Sequence, residues 1–200
     1  AFATLAIPLA LDGQWTAASW ALEGAALFWV GLRQHRRLPA IAGPLLQLAG
    51  GCAWLAHGGV GAQATAFANA GFMGAVLLAV AGLLSAWLAS RPQPLLRTFP
   101  FDFAPLLLTW GLLWWYFGFG HELQRALPAA WFEAAGLLLV ALTGVVAALL
   151  VRRLAWPALL VPALLPWPAM LIAGVLWRLG YAHPLTAPGC WAWQRVFAAG

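Results

Sequence analysis

The distribution of charge constrains this chain more than any other feature. Ionisable side chains fall at a few positions. Between them run about six apolar stretches, near residues 16–32, 39–57, 64–90, 103–119, 129–151 and 155–180. Each approaches or exceeds the roughly 20 residues that carry an α-helix across a bilayer. Charged residues make up 8% of the chain and hydrophobic ones 64%, against roughly 25% charged in an ordinary soluble domain. Five acids and ten arginines cannot clothe a soluble fold of 200 residues. The expected fold is all-α, a polytopic transmembrane helix bundle with about six full spans and partial helices at both ends. Its first partner is the lipid bilayer.

The opening AFATLAIPLAL lacks the basic flank of a signal peptide and is too short to cross, as is the closing CWAWQRVFAAG. The expectation is a single transmembrane region, residues 1–200, belonging to a longer polytopic protein, with the rest of that chain as a further partner. A net charge of +5 would suggest nucleic acid in a soluble protein. Here the arginines account for it otherwise, and no nucleic-acid partner is expected. Arg33, Arg36 and Arg37 follow the first run, Arg91 and Arg97 the third, and Arg152 and Arg153 the fifth. Those alternate links all fall on one side, which the positive-inside rule assigns to the cytoplasm.

Tryptophan is abundant, with 14 copies. Trp15, Trp54, Trp87, Trp131, Trp156 and Trp177 lie near expected helix ends, where an amphipathic ring suits the headgroup level. Trp110, Trp114, Trp115 and Trp167 lie deeper, as packing residues or as the wall of an aromatic groove. The pairs Ala70/Gly74 and Gly71/Ala75 mark close helix packing. Cys52 and Cys190 define neither a disulfide framework nor a metal site. Without a Gly-rich phosphate loop, nucleophile elbow or Cys-x-x-Cys, no cofactor and no metal are expected.

An internal echo is present. EGAALFWVGL from Glu23 resembles EAAGLLLVAL from Glu133, and an Arg-Arg-Leu follows each, at 36–38 and 152–154. This suggests a parallel repeat of residues 1–90 and 103–200. The carboxylates precede their arginine pairs by different spacings and so sit at different depths. The run after each arginine pair carries helix breakers: Pro44 with Gly50-Gly51 in one, Pro157, Pro162, Pro166 and Pro168 in the other. Interrupted helices at matching positions are a pointer to a transporter's binding site.

Glu23 is the polar residue that most needs a reason. An ionised acid at mid-span costs about 2.5–3.5 kcal/mol, against roughly 2 kcal/mol recovered by its apolar neighbours. In an antiparallel hairpin Gln47 lies at similar depth, about 15 Å from the arginine-bearing edge. The pair is expected either to hydrogen-bond as interhelical glue or to bind a proton or substrate. Glu133 sits one turn into its helix, where the helix N-terminus favours an acid. Asp12, His57, His121, Glu122 and His183 gather on the outer side, where they are expected to be solvated loop residues.

The stretch WTAASWALEGAALFWVGLRQHRRL (15–38), preceded by LAIPLALDG and followed by LLQLAG, resembles a signature segment of a bacterial family of predicted multi-pass membrane proteins, domain-of-unknown-function family 2339. The specific likeness covers roughly residues 4–50, with a looser echo in HELQRALPAAWFEAAGLLLVAL (121–142). It implies the inner membrane of a bacterium and long chains of consecutive helices, and it supplies no catalytic residues. The function expected is non-enzymatic: transport or sheltering of a hydrophobic or lipid-linked molecule, a lipid-like ligand. The alternatives are a membrane enzyme acting on lipid-linked sugars and a structural component of an envelope complex.

Overall fold

The computed structural model describes residues 13–56 and 65–178, and every regular element among them is helical. The chain divides into two compact units, residues 1–122 and 123–200. The first holds α1 (Gly13–Arg33), α2 (Arg37–Ala56), α3 (Ala70–Ala89) and most of α4 (Phe103–Ala126). The second holds α5 (Ala129–Arg153), a 3-10 turn (Pro157–Leu159), α6 (Leu160–Leu164) and α7 (Pro166–Arg178). Five segments are long and apolar enough to cross a membrane: Arg37–Ala56, Ala70–Ala89, Phe103–Ala126, Trp131–Arg153 and Pro157–Leu176. The sixth expected crossing, α1, is long enough at 21 residues but less apolar. It is the helix that carries Glu23.

The hairpin of α1 and α2 is the most extensive helix pairing among the described residues. Lipid tails are as apolar as leucine side chains, so helices in a bilayer are held by close packing instead of by burial. Glycines make that packing possible here. A Cβ on Gly24 would lie 2.6 Å from the Gly43 carbonyl oxygen, and one on Gly31 would collide with the Ala40 nitrogen. A Cβ on Gly50 would lie 2.8 Å from the Ala17 carbonyl oxygen. Ala17, Gly24 and Gly31 recur every seven residues on α1, as Gly43 and Gly50 do on α2. That is the period of a seam that stays in contact along two helices. No room exists between these backbones for a side chain.

The outer two helices of the unit follow the same rule. Gly82 of α3 faces Gly111 of α4, where a Cβ would lie 2.9 Å from the opposing Cα. One turn-pair away, a Cβ on Gly118 would meet Ala75 at 2.9 Å. Buried Ala17, Ala21, Ala75, Leu78, Ala79 and Ala81 close around Trp54 and Trp114. The two indoles meet edge to face, with centroids 5.4 Å apart. Trp54 donates its Nε1–H to the Gly71 carbonyl at 2.9 Å. Trp54 and Trp156 lie near helix ends, as expected, and both are buried against the protein. Trp87 is half-buried and Trp131 exposed. Trp110, Trp114 and Trp115 pack in or against the core, whereas Trp167 is exposed.

Three boundaries differ from those read in the sequence. The run from 64 becomes helical only at Ala70, where Asn69 caps α3 by accepting from the Phe72 N–H at 2.8 Å. The fourth helix continues past 119 to Ala126. Of the two runs expected to be broken, α2 passes through Pro44 as one helix. The last run breaks into the 3-10 turn, α6 and α7. One proline removes one backbone bond, but Pro162, Pro166 and Pro168 in succession strip several from two consecutive turns. The broken segment rests on α5 at Gly144, where a Cβ would meet Pro166 Cγ at 2.6 Å.

α1 and α5 end in the same way. Arg36 N–H bonds to the Gly31 carbonyl and His35 N–H to that of Leu32. Trp156 N–H bonds to the Val151 carbonyl and Ala155 N–H to that of Arg152. Both are Schellman caps, and their left-handed residues, His35 (φ 54°) and Ala155 (φ 46°), are not glycine. The arginine pair follows the left-handed residue in the first cap and precedes it in the second.

Adding one methyl group tests the seam. Gly31→Ala is expected to lower stability by about 1–3 kcal/mol, the usual cost of overpacking. Gly136→Ala, at a helical position with nothing within 4 Å of the new Cβ, should be neutral or gain up to about 1 kcal/mol. Thermal unfolding in detergent compares the two, and equal melting temperatures would refute close backbone contact.

Candidate functional site

Two buried polar arrangements and one groove distinguish the first unit. The deeper polar arrangement lies between α2 and α3. Gln47 is 1% exposed and donates its Nε2–H to Ser85 Oγ at 2.9 Å, while its buried Oε1 finds no partner among the described residues. The amide thus turns to α3 and not to Glu23. Glu23 is half-buried on α1, and no hydrogen bond or ion pair reaches it among the described residues.

The second arrangement centres on Glu122, which is fully buried in the last turns of α4. One carboxylate oxygen accepts the Phe67 backbone N–H at 2.9 Å, and the other accepts the Asn69 side-chain amide at 3.0 Å. Asn69 is also the cap of α3, so a single carboxylate joins the end of α4 to the start of α3. Phe67 has φ 61°, a left-handed conformation costing on the order of 1–2 kcal/mol for a residue with a Cβ. Its ring stacks edge to face on Phe72 at 5.4 Å, and Phe72 does the same on Phe119 at 5.0 Å. Hydrogen bonds and aromatic contacts together hold the turn.

Glu122 is thus not the solvated loop residue expected. The sequence reading ended α4 near 119, but the helix carries Glu122 inward beneath residues 65–69. His121 is partly exposed, stacks on Phe117 at 6.2 Å, and has its Nδ1 3.9 Å from Glu122 Oε1. Asp12, His57 and His183 lie outside the described residues. Glu133 is exposed at the rim of a cleft between α5 and α7 of about 420 Å³. Among the described residues, no three His, Cys, Asp or Glu side chains gather as a metal would require.

The groove lies between α2 and α4. Ile41, Pro44, Leu45 and Leu48 line one wall, and Leu106, Trp110 and Leu113 the other. Each set recurs at the three- and four-residue spacing of one helix face. Phe99, Phe101 and Phe103 close one end in a mutual aromatic stack, with Phe101 and Phe103 4.8 Å apart. The volume is about 670 Å³, and Thr109 is the one polar residue of the lining. Phe99 and Phe101 also line a separate polar basin of about 520 Å³. Ser90, Arg91, Gln93, Arg97 and Asp102 line it, and Asp102 accepts the Ala104 N–H at 2.9 Å at the start of α4. Arg37 lies over the Phe99 ring at 6.0 Å. The first two arginine clusters therefore share one end of this unit.

Over residues 1–200 the chain matches the family described as Predicted membrane protein (DUF2339). The chain belongs to that family. It is a membrane protein family of unknown function, so the resemblance seen in residues 15–38 extends along the whole length. No curated protein and no solved structure matches. Of the tryptophans read as packing residues or as a groove wall, Trp110 lines the α2–α4 groove. The part of Phe99, Phe101 and Phe103 was not read from the sequence, although FPFDF (99–103) sets three phenylalanines on alternate positions where the link enters α4.

The Glu122 latch is open to a direct test. Glu122→Ala removes the acceptor of the Phe67 N–H and of one Asn69 amide proton, the other still donating to the Thr65 carbonyl, and is expected to cost about 2–3 kcal/mol. Amide exchange at Phe67 and Phe72 should quicken roughly 30–100-fold. Unchanged exchange there would mean that the carboxylate does not hold the turn.

Proposed function

We propose that this membrane protein shelters or moves a lipid-like molecule, with the apolar chain of that molecule in the α2–α4 groove. The observation that carries the reading is the groove itself. Its volume lies within the roughly 300–1,000 Å³ of small-molecule sites, and its walls are almost wholly apolar. Both walls belong to helices long and apolar enough to cross a membrane, so the mouth faces lipid. Ligands of matching polarity enter such a groove from the bilayer. The family membership and the arginine-bearing links support a bacterial inner membrane with those links in the cytoplasm. The shared Schellman caps of α1 and α5 support two related halves.

A second reading places a proton- or substrate-binding role on Glu23 and Gln47. The buried Oε1 of Gln47, which finds no partner among the described residues, favours it, since a buried acceptor without a donor is costly. In that reading Glu23→Gln abolishes the deletion-complementing activity of the gene while expression holds. Wild-type complementation by Glu23→Gln would end it.

Filling the groove tests the first reading. Leu48→Trp combined with Leu106→Trp should remove the lipid that co-purifies in mild detergent, measured by native mass spectrometry. Undiminished lipid in this variant would contradict a ligand between α2 and α4.

A further inference from the structure

Nearly every hydroxyl among the described residues is engaged. Thr65, Ser90, Thr98 and Thr143 each donate to a backbone carbonyl close by in sequence, at 2.7–3.3 Å. Ser85 accepts from Gln47, and Thr16 and Ser19 have interactions of their own. Thr109 differs: its hydroxyl makes no hydrogen bond among the described residues. Thr143 on α5 donates to the Leu139 carbonyl four residues back. Thr109 on α4 has Pro105 at the same offset and does not make that bond. A hydroxyl kept off its own helix in an apolar setting needs an acceptor from elsewhere, because leaving the bond unmade is costly.

Thr109 is exposed on α4 and lines the α2–α4 groove. It lies six residues past Phe103, the first of α4, which is roughly 9 Å along the helix. Leu106 precedes it and Leu113 follows it on the same wall. Among the described residues no ionisable side chain lines this groove. The neighbouring indole adds no donor. Trp110 Nε1 is buried, and the adjoining Cδ1 lies against α3, where a Cβ on Gly82 would meet it at 3.1 Å. The groove therefore offers its occupant one side-chain hydroxyl, set between apolar walls, and no charge.

We propose that the occupant of the groove is an uncharged lipid bearing a carbonyl oxygen, an ester or a ketone, that accepts the hydrogen bond of Thr109. The assignment rests on the proposed lipid-binding role and specifies its chemistry. A charged group at this depth is desolvated with no counter-ion in the lining. A hydrocarbon fills the groove but leaves the Thr109 proton without an acceptor. An uncharged carbonyl meets both conditions. Apolar walls then supply contact area, and one polar group fixes the orientation of the molecule.

The test uses the intact protein in mild detergent and three single-chain probes of matched length: methyl oleate, octadecene and oleate. Conditions are mildly alkaline, so that oleate is ionised. Native mass spectrometry with the probes at equal concentration reads the adducts. Wild type is expected to carry methyl oleate in preference to both others. Thr109→Val, which nearly keeps the shape and loses the hydroxyl, should lower the preference for ester over hydrocarbon about fivefold, the effect of one hydrogen bond. Thr109→Ser should retain most of it. Thr143→Val, whose hydroxyl is already bonded within α5, should leave it unchanged. Gel filtration of each variant checks that the fold persists. Equal adducts of ester and hydrocarbon on wild type would overturn the Thr109 bond while leaving the groove reading intact. A preference that survives Thr109→Val, or falls as far in Thr143→Val, would overturn it too. Oleate bound as well as its methyl ester would overturn the uncharged occupant. Absence of any adduct would remove the groove reading and this inference together.

Discussion

The contact of bare backbone between α1 and α2 is the interaction on which the first unit depends. In water, burying leucine would hold two helices together; in lipid that gain vanishes, and proximity itself must supply the attraction. Gly24 and Gly31 on one helix and Gly43 and Gly50 on the other bring the chains close enough for main-chain atoms to touch. This seam also explains how a helix as polar as α1 keeps its place. It is fastened to α2 along its length, and one flank packs on α3. The Trp54–Trp114 core and the Gln47–Ser85 bond then fix α3 and α4 around the hairpin.

Much of this was legible in the residues. The apolar runs gave the helices, because 20-residue stretches without charge have few other uses. The arginine clusters gave their alternation, and Arg37 over Phe99 brings two of the clusters to one end. The family was legible in residues 15–38. Other features were hidden for identifiable reasons. Helix ends in an apolar chain carry weak signals, so α4 was read as ending before Glu122. That error turned a buried latch into a solvated acid. The partner of Gln47 depended on which face of α2 meets α3, which a two-helix argument from depth could not decide. Pro44 and the proline run of residues 157–168 look alike as breakers, yet one proline is tolerated and four are not.

The polar residues now divide by the work they do. Glu122 is committed to the Phe67 turn and the Asn69 cap, with both oxygens engaged. Asp102 is engaged at the start of α4. Glu23 is the acid of the first unit for which the described residues supply no partner. Basic residues of that unit from two links, Arg37 with Arg91 and Arg97, lie near Phe99 at one end of α4. A chain with so few charges places them at helix ends and in a latch.

The central claim is that a lipid-like molecule occupies the space between α2 and α4. A structure of the protein in lipid nanodiscs, at a resolution that shows ordered acyl chains, tests it most directly. The account predicts elongated density running from Leu113 past Leu106 to Phe99. The same space filled by the protein's own side chains, or closed by approach of the two helices, would contradict it.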